Sequence, residues 1–190
     1  LLNTISYQLP VMLLSGYFSS TIVGYYSIGL RMIGMPMTLI GDAISQVFFQ
    51  RASEAKNQGT LSIVVQNTYA RLVNIGLFPM LVIGLIGPEA FTVVFGPEWA
   101  EAGLYTQILI PWQLVTFLGS PISTLVSVLE CQGWGLLFNI VLLVTRVASL
   151  VIGGWSGDPR LALAFYSISG FVLWLGVGAW LLRASGASIL

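Results

Sequence analysis

The chain has 190 residues, 7 % of them charged and 56 % hydrophobic, with a mean hydropathy of +0.91. Soluble domains are roughly a quarter charged, so seven basic and seven acidic side chains cannot cover a water-facing surface, and the apolar surplus calls for hydrocarbon as a second solvent. A formal net charge of zero gives no sign of nucleic acid, the absence of histidine removes the usual metal ligand and proton shuttle, and the lone Cys131 excludes an internal disulfide.

The sequence opens Leu1-Leu2-Asn3 without a methionine, and apolar residues begin at once, as expected of a fragment whose targeting signals lie out of view. A helix crosses the bilayer core with about 20 mostly apolar residues, and about six segments approach that length. The first covers residues 3–18. The second covers 23–49 and carries Arg31, Pro36 and Asp42. Residues 50–66, with Arg51, Glu54, Lys56 and Gly59, read as the one clearly water-soluble loop. The third segment covers 67–86, with Arg71 near its start and Pro79 inside.

Residues 87–103 are punctuated by Gly87-Pro88 and Gly96-Pro97, and the short apolar run 90–95 between them reads as an interfacial turn. The fourth segment, 104–129, contains Pro111 and Pro121. The fifth, 136–152, contains Arg146, and after a turn at 153–160 the sixth covers 161–182. Spanning strands would show short alternating segments, whereas these runs are continuously apolar. The expected fold is an all-α integral membrane bundle of about six transmembrane helices, forming one domain over residues 1–190.

Orientation follows the basic residues. Arg51, Lys56 and Arg71 cluster after the second segment and Arg183 follows the sixth, while the opposite side holds Arg160 beside Asp158 and the acidic Glu89, Glu98 and Glu101. Both ends of the chain are therefore expected on the cytoplasmic side. Trp99, Trp112, Trp134 and Trp155 near segment ends suit an interfacial belt. Gly29 to Gly34 and Ser15-Gly16 are candidate close helix contacts.

Arg31, Asp42 and Arg146 fall at membrane depth, where a charge is costly and usually faces a bundle interior or a watery cavity. Arg31 and Asp42 share nearly one face of the second helix but stand about 16 Å apart along it, too far to pair. One reading of Arg31 and Arg146 is a cationic interior site for an anionic headgroup, since a guanidinium can donate two parallel hydrogen bonds to phosphate. The other is that both snorkel to the outer interface. Arg71, one turn into the third segment, suits an inside-positive anchor and is carried with them as a candidate substrate contact. Asp42 is the candidate for ion or proton coupling. Glu130 and Cys131 fall at a solvated cytoplasmic turn. No catalytic constellation, phosphate loop, cofactor motif or metal-ligand spacing is visible.

Several stretches resemble a known family: Val23-Gly24-Tyr25-Tyr26-Ser27 leading through Leu30-Arg31 and Pro36 to Ile40-Gly41-Asp42-Ala43-Ile44-Ser45-Gln46-Val47-Phe48-Phe49; the turn Val94-Phe95-Gly96-Pro97-Glu98-Trp99-Ala100-Glu101-Ala102-Gly103; Pro111-Trp112 followed by Ser120-Pro121-Ile122-Ser123; and the position of Arg146. Together they are similar to the O-antigen-type oligosaccharide flippases of bacterial polysaccharide biosynthesis, in the superfamily that includes the MATE exporters. The resemblance implies two six-helix bundles around a central, often cationic cavity, with this chain as the second bundle and its N-terminal partner bundle missing. It implies a lipid-linked substrate, an undecaprenyl-pyrophosphate oligosaccharide, carried from the cytoplasmic to the periplasmic leaflet of the bacterial inner membrane. Arg31 and Arg146 would suit that cavity, and the motif match assigns no coupling residue. An exporter of drugs or metabolites would instead want an acidic cavity, and a membrane-embedded enzyme of the same pathway would need an acid–base cluster in a long loop.

Overall fold

The computed structural model describes residues 2–187, with side chains from residue 8 onward. Every regular element among them is helical: α1 (Leu2–Tyr17), α2 (Ser20–Gln58), α3 (Leu61–Phe95), a single 3-10 turn at Pro97–Trp99, α4 (Ala100–Ile122), α5 (Leu125–Val128), α6 (Gln132–Trp155) and α7 (Pro159–Ala184). All six expected segments are helical, the fourth being broken at Ser123-Thr124 into α4 and the short α5. Five are long and apolar enough to cross a membrane, and α1, at 16 residues, is the short sixth. Leu1 and residues 188–190, the chain ends whose side was read from the charges, lie outside the described residues.

The water-soluble loop expected at 50–66 is instead mostly helix. With 39 residues, α2 is about 58 Å long, nearly twice the hydrocarbon thickness of about 30 Å. It carries Arg51, Glu54 and Lys56 out of the bilayer on a helical extension. Nothing between Gln50 and Gln58 breaks a helix, and Ala52 and Ala55 keep one face buried. The stop comes at Gly59, whose φ of 72° is the left-handed conformation that glycine adopts at least cost. Thr60 N–H then closes onto the Ala55 carbonyl at 3.0 Å.

The interfacial turn expected at 90–95 is also helical. α3 runs to Phe95 and bends at Ile86, where φ and ψ are −118° and 22°. Pro88, two residues on, supplies no N–H and crowds the preceding turn, a known cause of kinks. The bend lays α3 against the start of α4. There Gly87 and Gly103 meet so closely that a Cβ on Gly87 would stand 2.7 Å from the Gly103 carbonyl oxygen.

α4 is the central helix. It packs on α2, α3 and α7, while α6 packs on α1 and α7. Lipid tails are as apolar as leucine, so close van der Waals contact at small residues is what holds such helices together. Gly29 receives Thr106, Gly119 receives the Trp174 ring, Gly170 receives Trp112, and Gly154 receives Tyr17. Gly34 faces the Gln113 side chain, but a Cβ on Gly16 would meet nothing within 4 Å, so the expected contact at Ser15-Gly16 is not made. Large apolar side chains such as Leu39, Phe78, Leu85, Val144 and Val172 point outward, as a lipid-facing surface requires.

Candidate functional site

The four charged residues singled out in the sequence fall on two different surfaces. Arg31 and Asp42 are both exposed on α2, opposite the buried stripe Gly29, Ile33 and Gly41. Arg71 is exposed on α3 between exposed Asn67 and Asn74. None of the three makes an ion pair among the described residues. Asp42 lies about 33 Å along the axis from the start of α2, so a bilayer whose edge meets that start leaves Asp42 at the far boundary and Arg31 near the middle.

Arg146 is different. It is only 5 % exposed, turned into the bundle from α6, so it does not snorkel. Its guanidinium carbon lies 5.3 Å from the centre of the Trp112 ring and 5.9 Å from that of Tyr166. Those two rings stack edge to face, with centroids 4.9 Å apart. Their negative faces offset part of the cost of burying the cation. Trp112, expected in the interfacial belt, is therefore a core residue. Helix packing onto Gly170 of α7 draws it inward.

Arg146 lines a cavity of about 690 Å³. α4 and α6 both pack on α7, and the cavity occupies the space between them, with α5 at one end. Thr116, Ser120, Ser123 and Ser127 line one wall; Trp134, Phe138 and Trp174 line the other; no carboxylate does. The buried Thr116 Oγ1 and Trp174 Nε1 have no hydrogen-bond partner among the described residues.

Two ion pairs mark the opposite ends of the bundle. At one, Lys56 Nζ donates to Glu130 Oε1 at 3.0 Å and to the Val128 carbonyl at 2.7 Å. Glu130 holds a φ of 60°, uncommon for a residue with a Cβ, so its turn is tied down as well as solvated. At the other, Arg160 forks onto both Glu101 oxygens at 3.0 and 2.9 Å. Among the described residues no group of three or more His, Cys, Asp or Glu is placed to hold a metal.

The hydroxyl wall was missed in the sequence, although Thr116, Ser120, Ser123 and Ser127 recur at helical spacing. Pro121 hides the stripe, because it falls where α4 gives way to α5.

Five membrane-length apolar helices, three of which (α4, α6 and α7) border the cavity that holds Arg146, define a polytopic membrane protein. A family model described as polysaccharide biosynthesis protein matches residues 1–103, more than half of the 190-residue chain, and the protein belongs to that family. Arg31, Asp42 and Arg71 lie within the matched stretch, and Arg146 lies beyond it. No curated protein and no solved structure matches the chain.

Proposed function

We propose that the protein is a transporter that flips a lipid-linked oligosaccharide, an undecaprenyl-pyrophosphate saccharide, across the bacterial inner membrane. The observation that carries this is the buried Arg146 at a cavity with one hydroxyl-bearing wall, inside a membrane bundle of a polysaccharide biosynthesis family. A pyrophosphate and its sugars cannot cross hydrocarbon bare. A cavity with a fixed cation and a wall of hydroxyls takes over part of the role of their hydration shell while the lipid tail stays in the bilayer.

In this scheme the outward face of α2, with Arg31 and Asp42, and Arg71 on α3 look across the pathway towards a second six-helix bundle, and both ends of the chain face the cytoplasm. No covalent step is involved. The absence of a carboxylate from the cavity lining weighs against an exporter of cationic drugs.

Complementation tests it. In cells that depend on the intact protein for surface polysaccharide, Arg146→Ala and Arg31→Ala at normal abundance should each reduce export, and lysine at either position should recover part of it, keeping charge but losing the two-pronged donor. Full export with both alanines together would overturn the cationic pathway.

A further inference from the structure

One of the two buried apolar clusters gathers Tyr26, Tyr105, Trp112, Leu163 and Tyr166, and Arg146 lies against its Trp112 and Tyr166 rings. Tyr26 stands about 9 Å inside the start of α2, Tyr166 about 10 Å inside the start of α7, and Arg146 about 14 Å inside the end of α6. Three helices thus bring these side chains to a similar depth, and α4 adds Trp112. The hydroxyls of Tyr26 and Tyr166 share a hydrogen bond, and the Arg146 charge acts on Tyr26. Tyr26 is 1 % exposed and Tyr166 2 %, so bulk water reaches neither hydroxyl and each needs a partner within the bundle.

Two contacts settle where the Tyr166 ring lies. The hydrogen bond at its tip fixes the ring axis, but rotation about that axis would leave the bond intact. The edge-to-face contact with Trp112, at an interplanar angle of 64°, fixes the ring plane. The guanidinium carbon of Arg146 stands 5.3 Å and 5.9 Å from the two ring centres, and a planar cation beside two rings takes its orientation from them. We infer that Tyr26 is a positioning residue for Arg146: through Tyr166 it sets the direction in which the guanidinium fork points. Arg31 follows Tyr26 by five residues, about 140° around the helix, so α2 turns Arg31 outward and supports Arg146 from its inward face. The functional consequence rests on the transport reading above: a shift of α2 moves the support of the buried cation.

Proton–nitrogen NMR of the intact, arginine-labelled protein in nanodiscs tests the tie without reference to transport. The Arg146 Nε resonance, assigned by its loss in Arg146→Lys, should be displaced by the ring currents of Trp112 and Tyr166. Tyr26→Phe keeps the ring and removes only the hydroxyl, and it should move that resonance towards the position of exposed arginines. Tyr166→Phe, which removes the other half of the bond, should do the same. Tyr25→Phe, at a ring packed on Trp99 and Tyr105, should leave the resonance in place. In a transfer assay Tyr26→Phe should slow the wild-type protein several-fold at normal abundance. In an Arg146→Lys background it should slow transfer no further, because an ammonium has no fork to orient. An Arg146 resonance unmoved by Tyr26→Phe, or moved equally by Tyr25→Phe, would overturn the inference. So would an equal loss of transfer in the wild-type and Arg146→Lys backgrounds, since Tyr26 would then act on the fold and not through Arg146. Wild-type protein without transfer would overturn the transport reading and leave the resonance to decide the tie.

Discussion

Arg146 is held against Trp112, its guanidinium carbon 5.3 Å from the ring centre, inside a bundle that otherwise buries few charges. Replacing a buried cation by an apolar side chain of similar length is often neutral or stabilising. Arg146→Met should therefore keep or raise the unfolding midpoint in an SDS titration while export falls to background. A marked drop in the midpoint would mean that Arg146 serves the fold.

The ring contact has its own energy. A desolvated cation over an aromatic face contributes about 2 kcal/mol or less. A double-mutant cycle of Arg146→Met and Trp112→Leu should give a coupling energy of about 1–2 kcal/mol. Additive effects of the two substitutions would show that the approach of cation and ring is incidental.

Glycines at contacts should behave unlike glycines in open space. A Cβ on Gly119 would stand 2.5 Å from a Trp174 ring carbon, whereas Gly178 has nothing within 4 Å. Gly119→Ala should cost about 1–3 kcal/mol by overpacking, and Gly178→Ala should be neutral or slightly stabilising. Thermal unfolding in detergent reads both. Equal effects would contradict the packing of α4 on α7.

Lys56 fastens the end of α2 to the turn between α5 and α6, where Cys131 sits half-buried. Exposed ion pairs contribute about 0–1 kcal/mol, so Lys56→Met should barely change overall stability. The turn should loosen, and maleimide should label Cys131 several-fold faster. An unchanged labelling rate would show that the Val128 carbonyl contact does not hold the turn.

The helices themselves were legible because continuous apolar runs have few alternatives in a bilayer. Their ends were not. Residues 50–58 are polar, as a loop would be, yet Ala52 and Ala55 give them a buried face. The Gly87-Pro88 pair looked like a stop, but α3 absorbs it as a bend at Ile86. Composition reports solvent better than it reports backbone. The charged residues were equally visible, but only packing separates the buried Arg146 from the exposed Arg31. That depends on α7, whose Gly170 admits Trp112, and no spacing within α2 or α6 encodes it.

The sidedness is open to a direct check. In a Cys131→Ser background, cysteines at Asn57 and Glu98 should react with impermeant reagent from opposite faces, Asn57 from the cytoplasm. Labelling of both from one side would contradict the helix count between them.

The most direct measurement reconstitutes the intact protein in liposomes with a fluorescent prenyl-diphosphate saccharide in the inner leaflet, and follows its arrival outside by quenching or enzymatic trimming. The wild-type protein should accelerate transfer. Arg146→Met should reduce the rate to that of protein-free liposomes, and Arg146→Lys should restore part of it. Wild-type transfer no faster than protein-free liposomes, or full transfer by Arg146→Met, would contradict a lipid-linked saccharide pathway through the Arg146 cavity.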